Sequence, residues 1–135
     1  MQAIVPVERM LTASDHLRLR QLRAQHPDAV AAEALDELLS SSDVVAGTDV
    51  PVALVTLGSR VLLQDADRAA APYQLTLCEP RDARPAAGCI SVLSPVGSAL
   101  LGLRAGQVAR WRTPLGREGA ALVLSVLFQP QTEVR

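Results

Sequence analysis

The stretch that decides the fold reads Ile90-Ser-Val-Leu-Ser-Pro-Val-Gly-Ser-Ala-Leu-Leu-Gly-Leu-Arg-Ala-Gly-Gln107. Its first four residues include two that are β-branched, which favours a strand over residues 90–93. Ser94-Pro95 ends that strand, because proline cannot donate a hydrogen bond to a ladder. Apolar residues then recur at helical spacing over residues 96–103, and Gly102 and Gly106 mark the exit from the helix. The stretch predicts a strand, a short helix and another strand, as found in α+β domains.

The first third of the chain has a helical pattern. Thr12-Ala13-Ser14-Asp15 is a capping-box sequence and predicts a helix that continues to about residue 25. Pro27 ends this helix, and an apolar stripe over residues 28–40 predicts a second one. Two helices joined by a tight turn indicate an antiparallel hairpin whose tip is formed by His26, Pro27 and Asp28. The conformation of residues 1–11 stays open.

The apolar period changes toward two after a linker at residues 40–51. This linker places the domain boundary after residue 46, which separates an N-terminal segment with the hairpin (1–46) from a sheet domain (47–135). Strands are predicted at residues 59–64, 73–78, 108–112 and 121–128, in addition to 90–93. The last strand is apolar at nearly every position, so we expect both of its faces to be covered. The fold class is α+β: a short N-terminal antiparallel helical hairpin, followed by an antiparallel β-sheet domain with one short helix.

Composition excludes several function classes. The 13 basic residues, all arginine, are balanced to a net charge of −1 and form no basic block. This argues against specific, direct binding of nucleic acid. The sequence shows neither a phosphate-binding glycine loop nor a nucleophile–base set, so we predict no catalytic residue and no cofactor. No signal peptide or membrane-spanning stretch is visible, and we therefore expect a cytoplasmic protein without membrane partners.

Two sets of residues are candidate metal ligands. Cys78 and Cys89 are too few and too widely spaced for a zinc site, and we interpret them as buried free thiols. Asp65 and Asp67 alone would make a poor cage for a cation, and an acidic turn is the simpler interpretation. We therefore predict no metal.

Four blocks of sequence carry a resemblance to a known family. They are the strand–Ser-Pro–helix stretch above, Val55-Thr-Leu-Gly-Ser-Arg-Val61, Tyr73-Gln-Leu-Thr-Leu77 and Thr113-Pro-Leu-Gly116. In order and spacing, over about residues 52–128, they resemble the C-terminal domain of the bacterial GreA/GreB transcript-cleavage factors. They look even more similar to a shorter branch of that family, the regulators of nucleoside diphosphate kinase. The resemblance implies that the sheet domain is FKBP-like.

The resemblance also implies a partner and a surface. In the family, the C-terminal domain docks on the rim of the secondary channel of RNA polymerase through its strand-to-helix corner. The positions that match this corner are Ser94, Pro95 and Val96, with Ser98 and Ala99 on the helix behind them. A proline-ended strand also suits docking on physical grounds, although a turn without a partner would have the same sequence. We expect a monomer that competes with Gre factors for this rim.

Three functions stay open at this point. The first is a non-enzymatic regulator that binds RNA polymerase without cleaving the transcript. The second is an active cleavage factor, because Gre factors hold a second Mg²⁺ with two acids at the tip of a long hairpin. Here the tip offers Asp28, and Glu33 lies more than a helical turn further on. The third is a peptidyl-prolyl isomerase, which the FKBP-like fold suggests, although three scattered aromatic residues can hardly line a proline pocket. The first is our prediction.

Overall fold

The computed structural model describes residues 8–28, 31–66, 70–113 and 115–130. Short 3₁₀ turns lie at Gly47–Asp49, Pro80–Asp82 and Pro85–Ala87. The helices and strands, in chain order, are β1 (Met10–Thr12), α1 (Ala13–Gln25), α2 (Ala32–Ser41), β2 (Asp43–Val45), β3 (Arg60–Asp65), β4 (Tyr73–Cys78), β5 (Cys89–Ser91), α3 (Pro95–Leu100), β6 (Val108–Arg112) and β7 (Glu118–Phe128). The structure therefore has the mixed α+β composition that the sequence predicts.

The described strands after α2 and β2 form a five-stranded sheet in the order β5-β4-β3-β7-β6. The pairs β3–β4, β3–β7 and β6–β7 are antiparallel, as predicted. The pair β4–β5 is parallel, so the prediction of an antiparallel sheet is wrong for this edge. The connection over residues 79–88 returns the chain toward the start of β4, so β5 then runs in the same direction as β4.

A second, two-stranded sheet joins β1 and β2 in parallel, with Leu11 opposite Val44. The sequence leaves the conformation of residues 1–11 open, and the prediction that residues 43–45 belong to a linker is wrong. Each of these strands is three residues long and has no alternating pattern of its own. The strands form because each supplies the hydrogen-bonding partner of the other, which local sequence does not show.

Helix α1 begins as predicted. The backbone N–H of Asp15 donates to the Thr12 hydroxyl over 2.9 Å, which caps the first turn. Helix α2 begins at Ala32 rather than near residue 28, and residues 29 and 30 lie outside the described part of the chain. The helices run antiparallel, because Arg23 near the end of α1 bonds Asp36 of α2 over 2.9 Å, and His16 near its start lies 3.4 Å from the Leu39 carbonyl.

Helix α3 is shorter than predicted. It covers Pro95–Leu100, whereas the apolar spacing predicts a helix to residue 103. Leu101 has extended backbone angles, and Gly102 follows with a φ of +86°, a conformation that favours glycine. The apolar residues after Leu100 are buried as a turn rather than as a helix face. None of the described helices combines the length and the apolarity of a membrane span.

A hydrophobic cluster of fully buried side chains joins the helices to the sheet. The helical pair contributes leucines, and the sheet and α3 contribute leucine and valine. The members most relevant here are Leu19, Leu22, Leu35, Leu38, Val61, Leu63, Leu77, Leu100 and Val123. The helical segment is thus packed on the sheet domain. The boundary that we place after residue 46 stays a prediction.

Strand β7 is covered on both faces at Ala120 and Ala121, which are 8% and 0% exposed, and is less covered toward its end. Val123 is fully buried, whereas Leu124, Leu127 and Phe128 are exposed by 39%, 44% and 42%. The expectation that both faces are covered is therefore wrong for the second half of the strand. The buried cluster, which includes α3, lies on the opposite face of the sheet. Apolar residues at nearly every position fit a strand with one exposed face as well, because single exposed leucines cost little.

Candidate docking surface

The strand-to-helix corner, which we define as Ser94, Pro95 and Val96, is held rigidly. The Ser94 hydroxyl accepts a hydrogen bond from the Gly97 backbone N–H over 3.0 Å, which caps α3. The same hydroxyl donates to the Ser91 carbonyl over 2.7 Å, which ties the cap to β5. Pro95 occupies the first turn, where its missing N–H has no helical partner to lose. The corner is therefore fixed on both sides of the turn.

Gly97 lets α3 lie directly on the end of β5. A Cβ atom at this position would be 2.0 Å from the Ser91 carbonyl oxygen and 2.9 Å from the Val92 Cα atom. Both are backbone atoms, so a rotamer change of a neighbouring residue could not make room for a side chain at position 97. The glycine is required for close approach rather than for an unusual φ.

The predicted docking residues lie together, but they differ in access. Ser94, Pro95 and Val96 are half-buried. Ser98 and Ala99 are buried, with exposed fractions of 5% and 7%. The Ser98 hydroxyl donates to the Pro95 carbonyl over 3.2 Å and so faces its own helix. A partner can therefore contact the corner itself directly, and little of the two residues behind it.

An open groove of about 600 Å³ adjoins the corner. It lies between α2 on one side and α3 and β6 on the other, with the chain before β1 at one end. Its lining combines small or apolar side chains with both signs of charge: Glu8, Arg9, Ala31, Ala34, Glu37, Leu38, Ser41, Pro95, Ser98, Ala99, Arg110, Trp111 and Arg112. The remaining accessible surface of Ser98 and Ala99 faces this groove. Sequence analysis did not find the groove, because its walls come from distant parts of the chain.

Trp111, the single tryptophan of the chain, is a groove residue that sequence reasoning missed. It pairs with Gly119 across β6 and β7. A Cβ atom at Gly119 would be 2.4 Å from Cε2 of the indole, so the ring rests on the glycine backbone. An aromatic residue opposite a glycine predicts this contact, but the pairing can be recognised only when the strand register is known.

Arg9 is the second residue that sequence reasoning missed. Its Nη1 atom donates to the carbonyls of Ala99 and Leu101, each over 2.8 Å. These carbonyls lie at the end of α3, where helical partners are lacking. Burial lowers the pKa of Arg9 from its ordinary value. Because about ninety positions separate the partners, no local pattern could reveal the bond.

Two polar contacts fix α1 on the sheet domain. The buried Asp15 carboxylate accepts a hydrogen bond from the Leu57 backbone N–H over 3.0 Å. Burial raises the pKa of Asp15 to about 6, against the opposing effect of this hydrogen bond. Further along the helix, Arg18 bonds Glu79 over 2.7 Å, and this bond lowers the pKa of Glu79. The orientation of the helical pair is therefore set by contacts at its base.

The predicted tip lies where α1 ends. The His26 backbone N–H donates to the Leu22 carbonyl over 2.9 Å, and Pro27 and Asp28 are exposed. Glu33 is exposed in the first turn of α2. Within the described ranges, no three His, Cys, Asp or Glu side chains are grouped so that they could hold a metal ion. Asp65 accepts a hydrogen bond from the Tyr73 hydroxyl over 2.9 Å, and Asp67 lies outside the described residues.

The sheet domain matches a known protein family. Residues 51–127 match the family described as "Transcription elongation factor, GreA/GreB, C-term", and they are more than half of the chain. The chain belongs to the GreA/GreB family. This confirms the resemblance drawn from the four sequence blocks. The matched segment contains the corner, Trp111 and Gly119.

Individual known proteins are similar over more of the chain than this segment. The Escherichia coli K12 protein named "Regulator of nucleoside diphosphate kinase" is 32% identical over 100 residues, which are 74% of this chain and 73% of that protein. Its Shigella flexneri counterpart matches equally well. Among solved structures, a "Prokaryotic transcription elongation factor GreA/GreB from Nitrosomonas europaea" is 30% identical, with a TM-score of 0.73. The match covers 90% of this chain and 100% of that one.

Proposed function

We propose that the protein is a non-enzymatic regulator that binds RNA polymerase at the rim of the secondary channel and competes there with Gre factors. It would dock through the corner and the groove beside it, as a cytoplasmic monomer with an FKBP-like sheet domain. The observation that carries the proposal is the open groove of about 600 Å³ that begins at Pro95. Family membership supplies the class of partner.

The corner and the groove have the properties of a preorganised interface. Pro95 has a fixed φ, and the cap and Gly97 hold it against β5. Trp111 rests on Gly119, so its indole loses little freedom when a partner binds. Tryptophan and arginine are common among residues that dominate binding energy, and the groove has Trp111 beside Arg110 and Arg112. These features favour docking over a turn without a partner.

The arm formed by α1 and α2 favours a regulator over a cleavage factor. Helix α1 has 13 residues and α2 has 10. At 1.5 Å per residue they reach roughly 20 Å and 15 Å from the base. At the tip, Asp28 is exposed after Pro27, and the first acid of α2 is Glu33. Transcript cleavage by a second metal ion needs a close pair of carboxylates and an arm that reaches the catalytic centre.

The docking surface is tested by a charge at the corner. Pro95→Glu should weaken binding to core RNA polymerase about tenfold or more, because it places a carboxylate in a contact that excludes water. The matched control is Pro85→Glu, which makes the same change at an exposed 3₁₀ turn. Affinity is measured by titration of fluorescently labelled protein, and folding by thermal melting. If Pro95→Glu melts like the wild type and binds with unchanged affinity, the corner is not the docking site.

The absence of cleavage is tested on a backtracked elongation complex with Mg²⁺. We expect no shortened transcripts, and we expect the protein to reduce cleavage by an added Gre factor as its concentration rises. Shortened transcripts that vanish in the double variant Asp28→Ala, Glu33→Ala would favour the active cleavage factor instead. A stable complex that holds both proteins on one polymerase would contradict the shared docking site.

A further inference from the structure

The fold brings the two cysteines of the chain onto one face of neighbouring strands. Cys78 is the last residue of β4 and Cys89 the first of β5. These strands pair in parallel, with Thr76 opposite Cys89 and Cys78 opposite Ser91. Paired residues point to the same side, and so do alternate residues of a strand. Both thiols therefore lie on the face opposite the buried Leu77.

The thiols are diagonal neighbours. Neighbouring strands lie about 4.8 Å apart and a parallel strand rises about 3.3 Å per residue, so two residues offset by two positions have Cα atoms about 8 Å apart. A disulfide spans about 4.4–6.8 Å, so the two cysteines must approach by at least about 1 Å. Both cysteines are free and half-buried, and Cys78 Sγ contacts the Ile90 carbonyl between them at 3.5 Å. Burial raises the pKa of Cys78, and the negative charge of a Cys89 thiolate adds to this effect.

Strand β5 carries Cys89 and is joined to the turn before it. It is three residues long, lies at the edge of the sheet and follows the short 3₁₀ turn Pro85–Ala87. Gly88, which precedes it, has a φ of +80°, so the chain turns sharply just before the strand. Arg84 and Cys89 exchange two backbone hydrogen bonds of 2.9 Å and 3.1 Å across this turn, so the turn and Cys89 would move together.

We propose that Cys78 and Cys89 are an oxidation site that closes to an intramolecular disulfide when the protein meets a hydroperoxide. A hydroperoxide takes two electrons from the pair. The Cys89 sulfur attacks the peroxide oxygen and becomes a sulfenic acid, and water or alcohol leaves. The Cys78 sulfur then attacks the sulfenic sulfur, its proton joins the departing hydroxide as water, and the S–S bond forms.

The disulfide would act on the docking corner, a consequence that rests on the proposed function. Strand β5 runs directly into the corner, because the Ser91 carbonyl accepts hydrogen bonds from both the backbone N–H and the hydroxyl of Ser94. The same carbonyl lies under Gly97 with no space to spare. Pulling Cys89 toward Cys78 therefore shifts the base on which α3 rests. Oxidation should weaken docking and reduction should restore it.

The covalent step is tested without the polymerase. Reduced wild-type protein is treated with hydrogen peroxide and analysed by intact-mass spectrometry, thiol titration and peptide mapping. We expect a monomer that lacks two hydrogen atoms, has no free thiol and yields one peptide linked through residues 78 and 89. Cys78→Ser and Cys89→Ser should each give sulfenic or more oxidised monomer, or disulfide-linked dimer. Dimers or sulfinic acids as the main wild-type products would overturn the proposal.

The effect on docking is a separate measurement. Oxidised wild-type protein should bind core RNA polymerase about tenfold more weakly than reduced protein, and dithiothreitol should restore the affinity. The double variant Cys78→Ser, Cys89→Ser, which has no thiol left to oxidise, should bind equally well with and without peroxide. If the wild type forms the disulfide and its affinity is unchanged, the coupling to the corner is wrong. If neither form binds the polymerase, the proposed function fails, and the mass spectrum still decides the oxidation site.

Discussion

Replacing Asp15 by asparagine tests what the buried carboxylate does at the base of α1. Asp15 is 4% exposed, and its carboxylate accepts the Leu57 N–H. Asparagine has nearly the same shape and can accept the same hydrogen bond through its amide oxygen, but it carries no charge. The substitution therefore isolates the cost of burying an ionised group at this point.

The size of the effect follows from the pKa. Burial raises the pKa of Asp15 from its ordinary value near 3.8 to about 6 in the folded protein. Each pH unit of this interval corresponds to about 1.4 kcal/mol, so ionisation of Asp15 costs the folded state at most about 3 kcal/mol. Because the folded-state pKa is the higher one, the proton stabilises the fold. This stabilisation is complete below about pH 4 and is lost as the pH rises through 6.

The assay is urea unfolding of both proteins across this interval. We compare the free energy of unfolding of Asp15→Asn with that of the wild type at each pH. From pH 4 to pH 7.5, this difference should shift in favour of Asp15→Asn by about 2–3 kcal/mol. The control Asp49→Asn, at an exposed position, should show no such change. If the difference between Asp15→Asn and wild type is constant from pH 4 to 7.5, Asp15 does not titrate as the burial implies, and the reasoning is refuted.

Two other substitutions test the surface around the corner. Gly97→Ala should lower the free energy of unfolding by about 2 kcal/mol or more, because its methyl group would meet the Ser91 carbonyl; Ser98→Ala on the same helix should cost less, and equal melting of the two variants would contradict the close approach. Gly119→Ala should displace the indole of Trp111 from the backbone of residue 119. The indole then becomes more accessible to water, and the tryptophan emission should shift to longer wavelength. Emission identical to the wild type would show that the ring does not rest on Gly119.

Sequence reasoning was accurate where one element carries its own signal. The cap of α1 at Thr12, the strand Tyr73–Cys78 and the strand Val108–Arg112 have the predicted bounds. The β1–β2 ribbon, the parallel edge at β5 and the groove escaped prediction, because each depends on which distant segments pair. The docking role of the corner comes from the family resemblance and stays a prediction. The burial of Ser98 and Ala99 was not predicted, since small residues on a short helix fit either face.

The ribbon that closes the base of the arm has a mechanical consequence. Strands β1 and β2 are paired, and Asp15 and Arg18 bond the sheet domain. We therefore expect the helical pair and the sheet domain to rotate together as one rigid body when a partner binds the corner. Helix α1 is roughly 20 Å long, so a tilt of the whole body by about 5° moves the far end of the helix by roughly 2 Å relative to its near end. A partner that binds the corner at a slightly different angle would therefore place the tip at a different position, without any conformational change in the helices.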